Sequence, residues 1–388
     1  MSATLPDRTQ AVFGLFAKPD VPVLRDAAAW AAGFADWRGS NLPGLLIAGD
    51  AVDVLNAMPT SAVDCVMTSP PYWNQRQYVT DGIGLEPSPG EFVDNLLKVT
   101  GPLKRVLSDA GSFWLNLGDT YYRKSLVGLP WRVALRMMDE QGWILRNDVV
   151  WSKLKGGMDT SSDRLANTHE MVFHFVKSPK YYYNADAIRS KPRTARLVNG
   201  AVVSATGVSG VRYRRKIELS TALSPREKAA AFAALEEMLE SIRRGEYSDF
   251  RMVIRGGGQR TTHSDQARVS GRAKELQERG FYFLRYHPNG QKPSDVWEII
   301  PEDTQKRDEM HYAAYPLDLC RIPVLATCPP GGLVLDPFAG TGTTLDAAVQ
   351  LGRRGVGIDI SEAYVDFIRE RLTRDQGIRA VRDVDRGQ

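Results

Sequence analysis

Two short segments of this chain carry residue types and spacings that could do chemistry. The first is Thr68-Ser69-Pro70-Pro71-Tyr72-Trp73. It closes an apolar run, Val63 to Met67, that reads as a strand. Two successive prolines stiffen the backbone and remove two N–H donors, while their carbonyls stay free to accept. Ser69 adds a hydroxyl, and Tyr72 and Trp73 add flat faces. Acceptors beside aromatic rings suit a planar group carrying an NH2. Taken alone, the same residues also describe a strand-terminal turn with a core aromatic.

The second segment is Asp336-Pro337-Phe338-Ala339-Gly340-Thr341-Gly342-Thr343-Thr344. It lies between an apolar strand, Leu333 to Leu335, and a helix from Thr343 to Leu351. Gly340 and Gly342 let backbone approach a ligand without a side chain in the way. The helix start behind them offers free N–H groups. The segment has no Gly-Lys-Ser/Thr and so is not a P-loop, nor does it fit the G-x-G-x-x-G dinucleotide pattern. Asp359 closes the next strand, where a carboxylate can accept hydrogen bonds from ribose hydroxyls. A bare strand-to-helix turn would not need Asp, Pro, Gly and repeated Thr together.

Both segments need strand ends on one sheet edge to face a common ligand. The pattern supplies them. Apolar runs at Gly44–Ala48, Val63–Thr68, Gly111–Leu117, Ile144–Trp151, Glu170–Lys177, Leu333–Leu335 and Gly355–Asp359 read as strands. Helical stretches at Glu91–Leu107, Pro130–Gln141, Thr343–Leu351 and Ala363–Leu372 alternate with them, which predicts a parallel α/β sheet. Residues 1–40 are read as an N-terminal helical extension, with Trp30, Phe34 and Trp37 packing on the main body. Asp119 is expected to cap a helix, Cys65 to lie in the core, and His169 and His174 to be structural. Tyr181 to Tyr183 are expected to pack between the main body and an insertion.

Between Lys191 and Gly280 the strand–helix rhythm breaks, apart from a helix at Ser224–Arg244. That stretch holds 18 Lys and Arg against 10 Asp and Glu, although the whole chain is only +4. One segment therefore carries the positive excess, which suits either a surface for a polyanion or a solvated insertion. The three cysteines form no C-x-x-C pair, which argues against a disulfide framework and a zinc site. No metal is expected. No apolar run reaches the ~18 residues of a membrane span, and residues 1–20 do not resemble a signal peptide. A cytoplasmic setting follows.

Together the two segments resemble the beta class of the DNA amino-methyltransferases. Ser69-Pro70-Pro71-Tyr72 matches that family's catalytic motif, and Asp336 to Thr344 matches its cofactor motif at every fixed position. The catalytic motif upstream of the cofactor motif is the order of the beta class. Gly49-Asp50 resembles the acidic strand end near the cofactor adenine. Ser294–Trp297 and His311–Pro316 resemble the segment that cups the methionine end, and Asp148–Lys153 and His169–Tyr183 the segment after the catalytic strands. The resemblance implies a doubly wound, mostly parallel Rossmann-like methyltransferase fold with an inserted target recognition domain. It divides the chain into a catalytic half (41–190), the inserted domain (191–285), a cofactor-binding half (286–375) and a polar tail (376–388).

The resemblance also implies roles. Ser69, Pro70, Pro71 and Tyr72 are expected to be catalytic. S-adenosylmethionine is expected to meet Asp50, Ala313, Tyr315, Asp336, Phe338, Ala339, Gly340, Thr341, Gly342, Thr343, Thr344 and Asp359. Double-stranded DNA is the expected partner, met by Trp73, Arg76, Arg212, Arg214, Arg215, Lys216, Arg255 and Arg260. Asn74 and Tyr78 share the loop of Arg76. The target base would be flipped out of the duplex, its amine held by Ser69 and Pro70 for direct in-line methyl transfer. Serine at the first motif position goes mostly with cytosine N4 in this family; adenine N6 is the alternative. RNA or protein amide methylation, and a binding subunit without activity, fit the motif order and intact Ser69 less well. A cognate restriction endonuclease and a homodimer are compatible partners.

Overall fold

Gly44–Ala48 and Leu333–Asp336 are buried at every position, and Val63–Thr68 at all but one. Strands buried on both faces read as unbroken apolar runs and pair in parallel beneath helices. The computed structural model describes residues 21–74, 82–154, 161–199, 201–256, 271–301 and 315–375. Its strands are β1 (Val23–Leu24), β2 (Gly44–Ala48), β3 (Val63–Thr68), β4 (Leu107–Leu117), β5 (Tyr121–Tyr122), β6 (Ser125–Leu126), β7 (Ile144–Ser152), β8 (His169–Val176), β9 (Arg196–Val198), β10 (Ala201–Val203), β11 (Asp249–Ile254), β12 (Phe281–Tyr286), β13 (Val296–Glu298), β14 (Leu333–Asp336) and β15 (Arg354–Asp359). Its helices are α1 (Trp30–Gly39), α2 (Ala51–Ala57), α3 (Pro89–Val106), α4 (Leu129–Gln141), α5 (Gly210–Glu218), α6 (Pro225–Arg243), α7 (Arg272–Arg279), α8 (Leu317–Thr327), α9 (Thr343–Gln350) and α10 (Glu362–Asp375).

Nine strands form one sheet in the order β1-β2-β15-β14-β3-β4-β8-β7-β13. All neighbours run parallel except β8, which is antiparallel to both β4 and β7. This is the mostly parallel α/β sheet that the sequence predicts. From β14 the chain continues to β15 on one side, and from β3 to β4 on the other. The crevice above such a switch point is where open α/β sheets bind ligands. Among the described residues no helix is long and apolar enough to cross a membrane.

The chain divides into two compact units, Met1–Asn184 with Ser294–Gln388, and Ala185–Pro293. The second unit begins and ends a few residues outside the 191–285 read from sequence. Its base is closed by hydrogen bonds that draw the flanking residues in: Ser190 N to Gln291 O, and Arg189 Nη1 to Gly290 O. It holds two antiparallel ribbons, β9–β10 and β11–β12, that the sequence pattern does not reveal. In β12 Arg285 faces Phe250 and interrupts the apolar face, and β11 and β12 lie far apart in the chain. The core of this unit gathers Tyr213, Ile217, Leu235, Leu239, Phe250 and Phe281.

In the first unit, Trp30, Phe34 and Trp37 of α1 are buried against β2 residues Leu45 and Ile47 in one cluster. Residues 21–40 are not helix alone, since β1 joins the sheet edge in parallel with β2. Two residues are too few to show a period. Asp119 accepts from Gly128 N and Leu129 N and so caps α4 from a distance. Tyr181 and Tyr183 pack on His174 inside this unit, at 5.7 and 6.3 Å. His174 stacks flat on Trp114 at 4.1 Å, and burial pushes its pKa down to about 3. It is a neutral core ring. Cys65 is fully buried, as expected.

Behind the glycine turn, α10 contributes Arg371. Its guanidinium donates to Thr341 O at 2.9 Å and to Asp346 Oδ2 at 2.8 Å, with both side chains nearly buried. Removing one partner of a buried ion pair leaves the other charge uncompensated. Arg371→Met is therefore expected to cost ~3–5 kcal/mol of stability. The check is urea unfolding of both proteins. A variant as stable as the parent would show that the turn holds without this tie.

Candidate active site

The site begins at a buried carboxylate. Asp336 ends β14 and is 1% exposed. It accepts from Thr68 Oγ1 at 2.6 Å, Thr344 Oγ1 at 2.7 Å, Phe338 N at 3.0 Å and Tyr315 Oη at 3.0 Å. Thr68 is the last residue of β3, so this carboxylate ties the two strand ends on either side of the switch point. Burial raises its pKa above the ordinary range, and the four donors oppose that shift. Asp336 was expected to meet the cofactor. Its oxygens instead serve the fold, and it does not line the cleft. The same holds for Thr344, which is fully buried and also donates to Met67 O, and for Gly342. Gly342 caps α9 with φ 78°, and a Cβ there would stand 2.6 Å from Ile368. Its glycine is required by packing and by its left-handed backbone.

The cleft itself encloses about 1160 Å³, its open mouth included. Four strand ends line it: Gly49 and Asp50 after β2, Asp359 and Ile360 at β15, Pro337 to Thr341 after β14, and Ser69 to Tyr72 after β3. Tyr315 and Thr343 also line it. Asp50 caps α2 through Val52 N and Asp53 N, both taken by its Oδ1. Asp359 accepts from Gly340 N at 2.8 Å and from Ser361 N at 2.9 Å, one on each oxygen. Each oxygen keeps a second lone pair facing possible donors. Burial raises the Asp359 pKa to about 6 against these two bonds. Of the residues expected to hold a cofactor, Asp50, Tyr315, Phe338, Ala339, Gly340, Thr341, Thr343 and Asp359 therefore share one cleft. Ala313 lies outside the described residues.

On the other wall, Ser69, Pro70, Pro71 and Tyr72 come together with three residues that the sequence did not single out. Ser69 Oγ donates to Tyr72 Oη at 3.3 Å, and Tyr72 Oη donates to Glu170 Oε2 at 2.6 Å. Asn116 Nδ2, with two N–H bonds to give, lies 2.9 Å from Tyr72 Oη, 3.2 Å from Ser69 Oγ and 2.8 Å from Glu170 Oε2. Lys153 Nζ donates to Glu170 Oε1. Strand pairing explains the gathering. Asn116 faces Val172 across β4–β8, Trp151 faces Glu170 across β7–β8, and Lys153 N bonds Thr168 O just beyond. Counting by twos places Asn116, Glu170 and Lys153 on one face. Burial first, and then the Glu170 charge, raise the Tyr72 pKa well above its ordinary value. Tyr72 is thus a neutral donor at neutral pH. Its ring lies on Gly118, where a Cβ would stand 2.6 Å from Tyr72 Cε2.

The expected DNA contacts fare unevenly. Trp73 is 3% exposed, its indole N–H bonded to Glu86 O, so it belongs to the core and cannot present a face to DNA. Arg255 is committed to Glu227 and to Ala222 O, which braces the start of α6. Arg214 pairs with Glu236 at 2.6 Å. Arg212, Arg215 and Lys216 are exposed on α5 and line a groove with Arg251 in the second unit. Arg76, Tyr78 and Arg260 lie outside the described residues.

A family described as DNA methylase matches residues 63–201 and 213–370. The Type II methyltransferase M.SfiI of Streptomyces fimbriatus is 31% identical over 383 residues, spanning 84% of this chain and 90% of that protein. The Type II methyltransferase M.Cfr9I of Citrobacter freundii is 28% identical, spanning 84% of this chain and 87% of its own length. Among solved structures, the PvuII DNA methyltransferase (cytosine-N4-specific) aligns with a TM-score of 0.52 at 16% identity, covering 87% of this chain and 88% of that one. That likeness bears on the fold.

The packing of Tyr72 on Gly118 can be tested directly. Gly118→Ala forces the ring away and is expected to cost ~1–3 kcal/mol by overpacking. It should also loosen the Tyr72–Glu170 bond and bring the Tyr72 titration down toward ordinary tyrosine. Isotope-labelled tyrosine NMR reads the titration, and an unmoved signal would show that the ring is held elsewhere.

Proposed function

This chain belongs to the DNA methylase family, and from that premise we propose that it methylates cytosine N4 in double-stranded DNA with S-adenosylmethionine. The observation that carries the reading is the meeting, in one cleft, of Ser69 with the glycine turn and Asp359. Ser69 offers a neutral hydroxyl where other members of the family carry an aspartate. The alternative product, N6-methyladenine, is an outcome of the test below.

The cleft's residues fit the cofactor's chemistry. Asp359 has lone pairs for ribose hydroxyls, Phe338 and Ile360 offer apolar surface for a purine, and Tyr315 with the glycine turn borders the remaining space. When bound, S-adenosylmethionine supplies a methyl group made electrophilic by its sulfonium. An exocyclic amine is a poor nucleophile because its lone pair is delocalised into the ring. The Ser69 hydroxyl and Pro70 carbonyl accept its two N–H bonds and localise that lone pair. Fixed alignment of this kind lowers the barrier by ~7–11 kcal/mol. Pro71 stiffens the turn that holds both acceptors. The cleft stands open to solvent on one side, which suits a base turned out of the duplex. The second unit then reads as the target recognition domain, with Arg212, Arg215 and Lys216 neutralising phosphates. The relatives' names suggest a Type II restriction–modification setting, with a cognate endonuclease as partner.

Two experiments test this. Incubation with unmethylated DNA and cofactor, followed by mass spectrometry of the nucleosides, is expected to yield N4-methylcytosine. N6-methyladenine would keep the enzyme class and overturn the choice of base. Cofactor affinity should also depend on pH through Asp359. Ligand hydroxyls bond its ionised form, so binding should be flat above about pH 6. Below that value it should weaken by about tenfold per unit. Calorimetric titration across mildly acid to neutral pH would remove Asp359 from the contact set if affinity stayed constant.

A further inference from the structure

We propose that Glu170 is the terminal acceptor of the proton that the target amine releases, reached through Ser69 and Tyr72. The proposal rests on the amino-methyltransferase reading of the site. An amine that gains a methyl carbon must shed one hydrogen, so each turnover yields one proton. Ser69 cannot keep it, because a hydroxyl that receives a proton must pass on its own.

The hydrogen bonds already run in one direction. Ser69 Oγ donates to Tyr72 Oη, and Tyr72 Oη donates to Glu170 Oε2. As the new carbon–nitrogen bond forms, the methyl's bond to the sulfonium would break and leave a neutral thioether, while one amine N–H bond breaks and its proton goes to Ser69 Oγ. The Ser69 O–H proton moves to Tyr72 Oη, and the Tyr72 O–H proton to Glu170 Oε2. Both hydroxyls end neutral, the amine nitrogen ends neutral, and Glu170 ends as a carboxylic acid. Because Tyr72 resists ionisation, it passes a proton on without resting as phenolate. Asn116, 1% exposed, has its side-chain nitrogen within hydrogen-bond distance of all three relay members, and its two N–H bonds hold them in register. Lys153 Nζ donates to the far oxygen of Glu170 and leaves Oε2 to Tyr72. The Glu170 and Lys153 side chains retain 11% and 28% exposure, which gives the proton a way out to water.

A purely bracing network behaves differently. Glu170→Gln keeps the size and an oxygen for Tyr72 but cannot take a proton. Single-turnover methylation of unmethylated DNA is measured against pH for the wild type, Glu170→Gln, Tyr72→Phe and the double variant, with cofactor and DNA binding measured separately. Glu170→Gln is expected to be about a hundredfold slower, the usual scale for losing a proton acceptor. Binding should be unchanged and the acidic limb of the profile absent. The double variant should be no slower than the slower single variant, because both changes cut one path. In the cofactor-free protein, isotope-labelled tyrosine NMR should show the Tyr72 titration falling when the Glu170 charge is removed. Glu170→Asp keeps a carboxylate and should recover part of the lost rate, and it carries the test if Glu170→Gln does not fold. A Glu170→Gln enzyme as fast as wild type, multiplying losses in the double variant, or a Glu170→Asp enzyme no faster than Tyr72→Phe would overturn the relay alone. A wild type inert on all DNA would overturn the underlying reading and the relay with it.

Discussion

The Asp336 carboxylate is the constraint on which the rest of the structure depends. A buried charge is tolerated only where donors surround it, and here four donors come from four places: the end of β3, the start of α9, the turn between β14 and α9, and Tyr315 before α8. Satisfying one acid therefore fixes the relative position of two strand ends, a turn and a helix start. The glycine turn and the proline pair flank one cleft because the strands before them are knotted at this point.

From that knot the two walls differ in character. The wall beside β15 is held chiefly by the backbone of the glycine turn bonded to Asp359, with Arg371 and Asp346 holding the turn from behind. The wall beside β4 is a side-chain network, closed by Asn116, Glu170 and Lys153. The first wall is set by conformation, the second by register. A shift of one residue in the β4–β8 pairing would turn Glu170 to the opposite face of the sheet.

This difference explains what the sequence reveals. Prolines and glycines constrain their own neighbourhood, so Ser69 to Tyr72 and Phe338 to Thr343 can be read locally, as can the strand–helix alternation that gives the sheet. Asn116, Glu170 and Lys153 lie in three strands, and nothing in a single sequence says which strands pair. Trp73 and Arg255 show the opposite failure. Residue type and adjacency suggested contact with DNA, but burial and a nearby Glu227 absorb them into the fold. Asp336 is visible as part of its motif, yet its role inside the protein emerges only when Thr68 and Tyr315 are seen beside it.

The single reversed strand has a further consequence. In a purely parallel sheet every strand delivers only its last residues to the ligand edge, and its first residues to the far side. β8 runs the other way, so its opening residues His169 and Glu170 arrive where β3 and β4 finish. A carboxylate can thus reach Tyr72, which lines the cleft, from within a hydrogen-bonded ladder flanked on both sides, instead of from a loop. Its position is set by strand pairing and not by the length of any loop on that edge, so this group stays anchored in the framework.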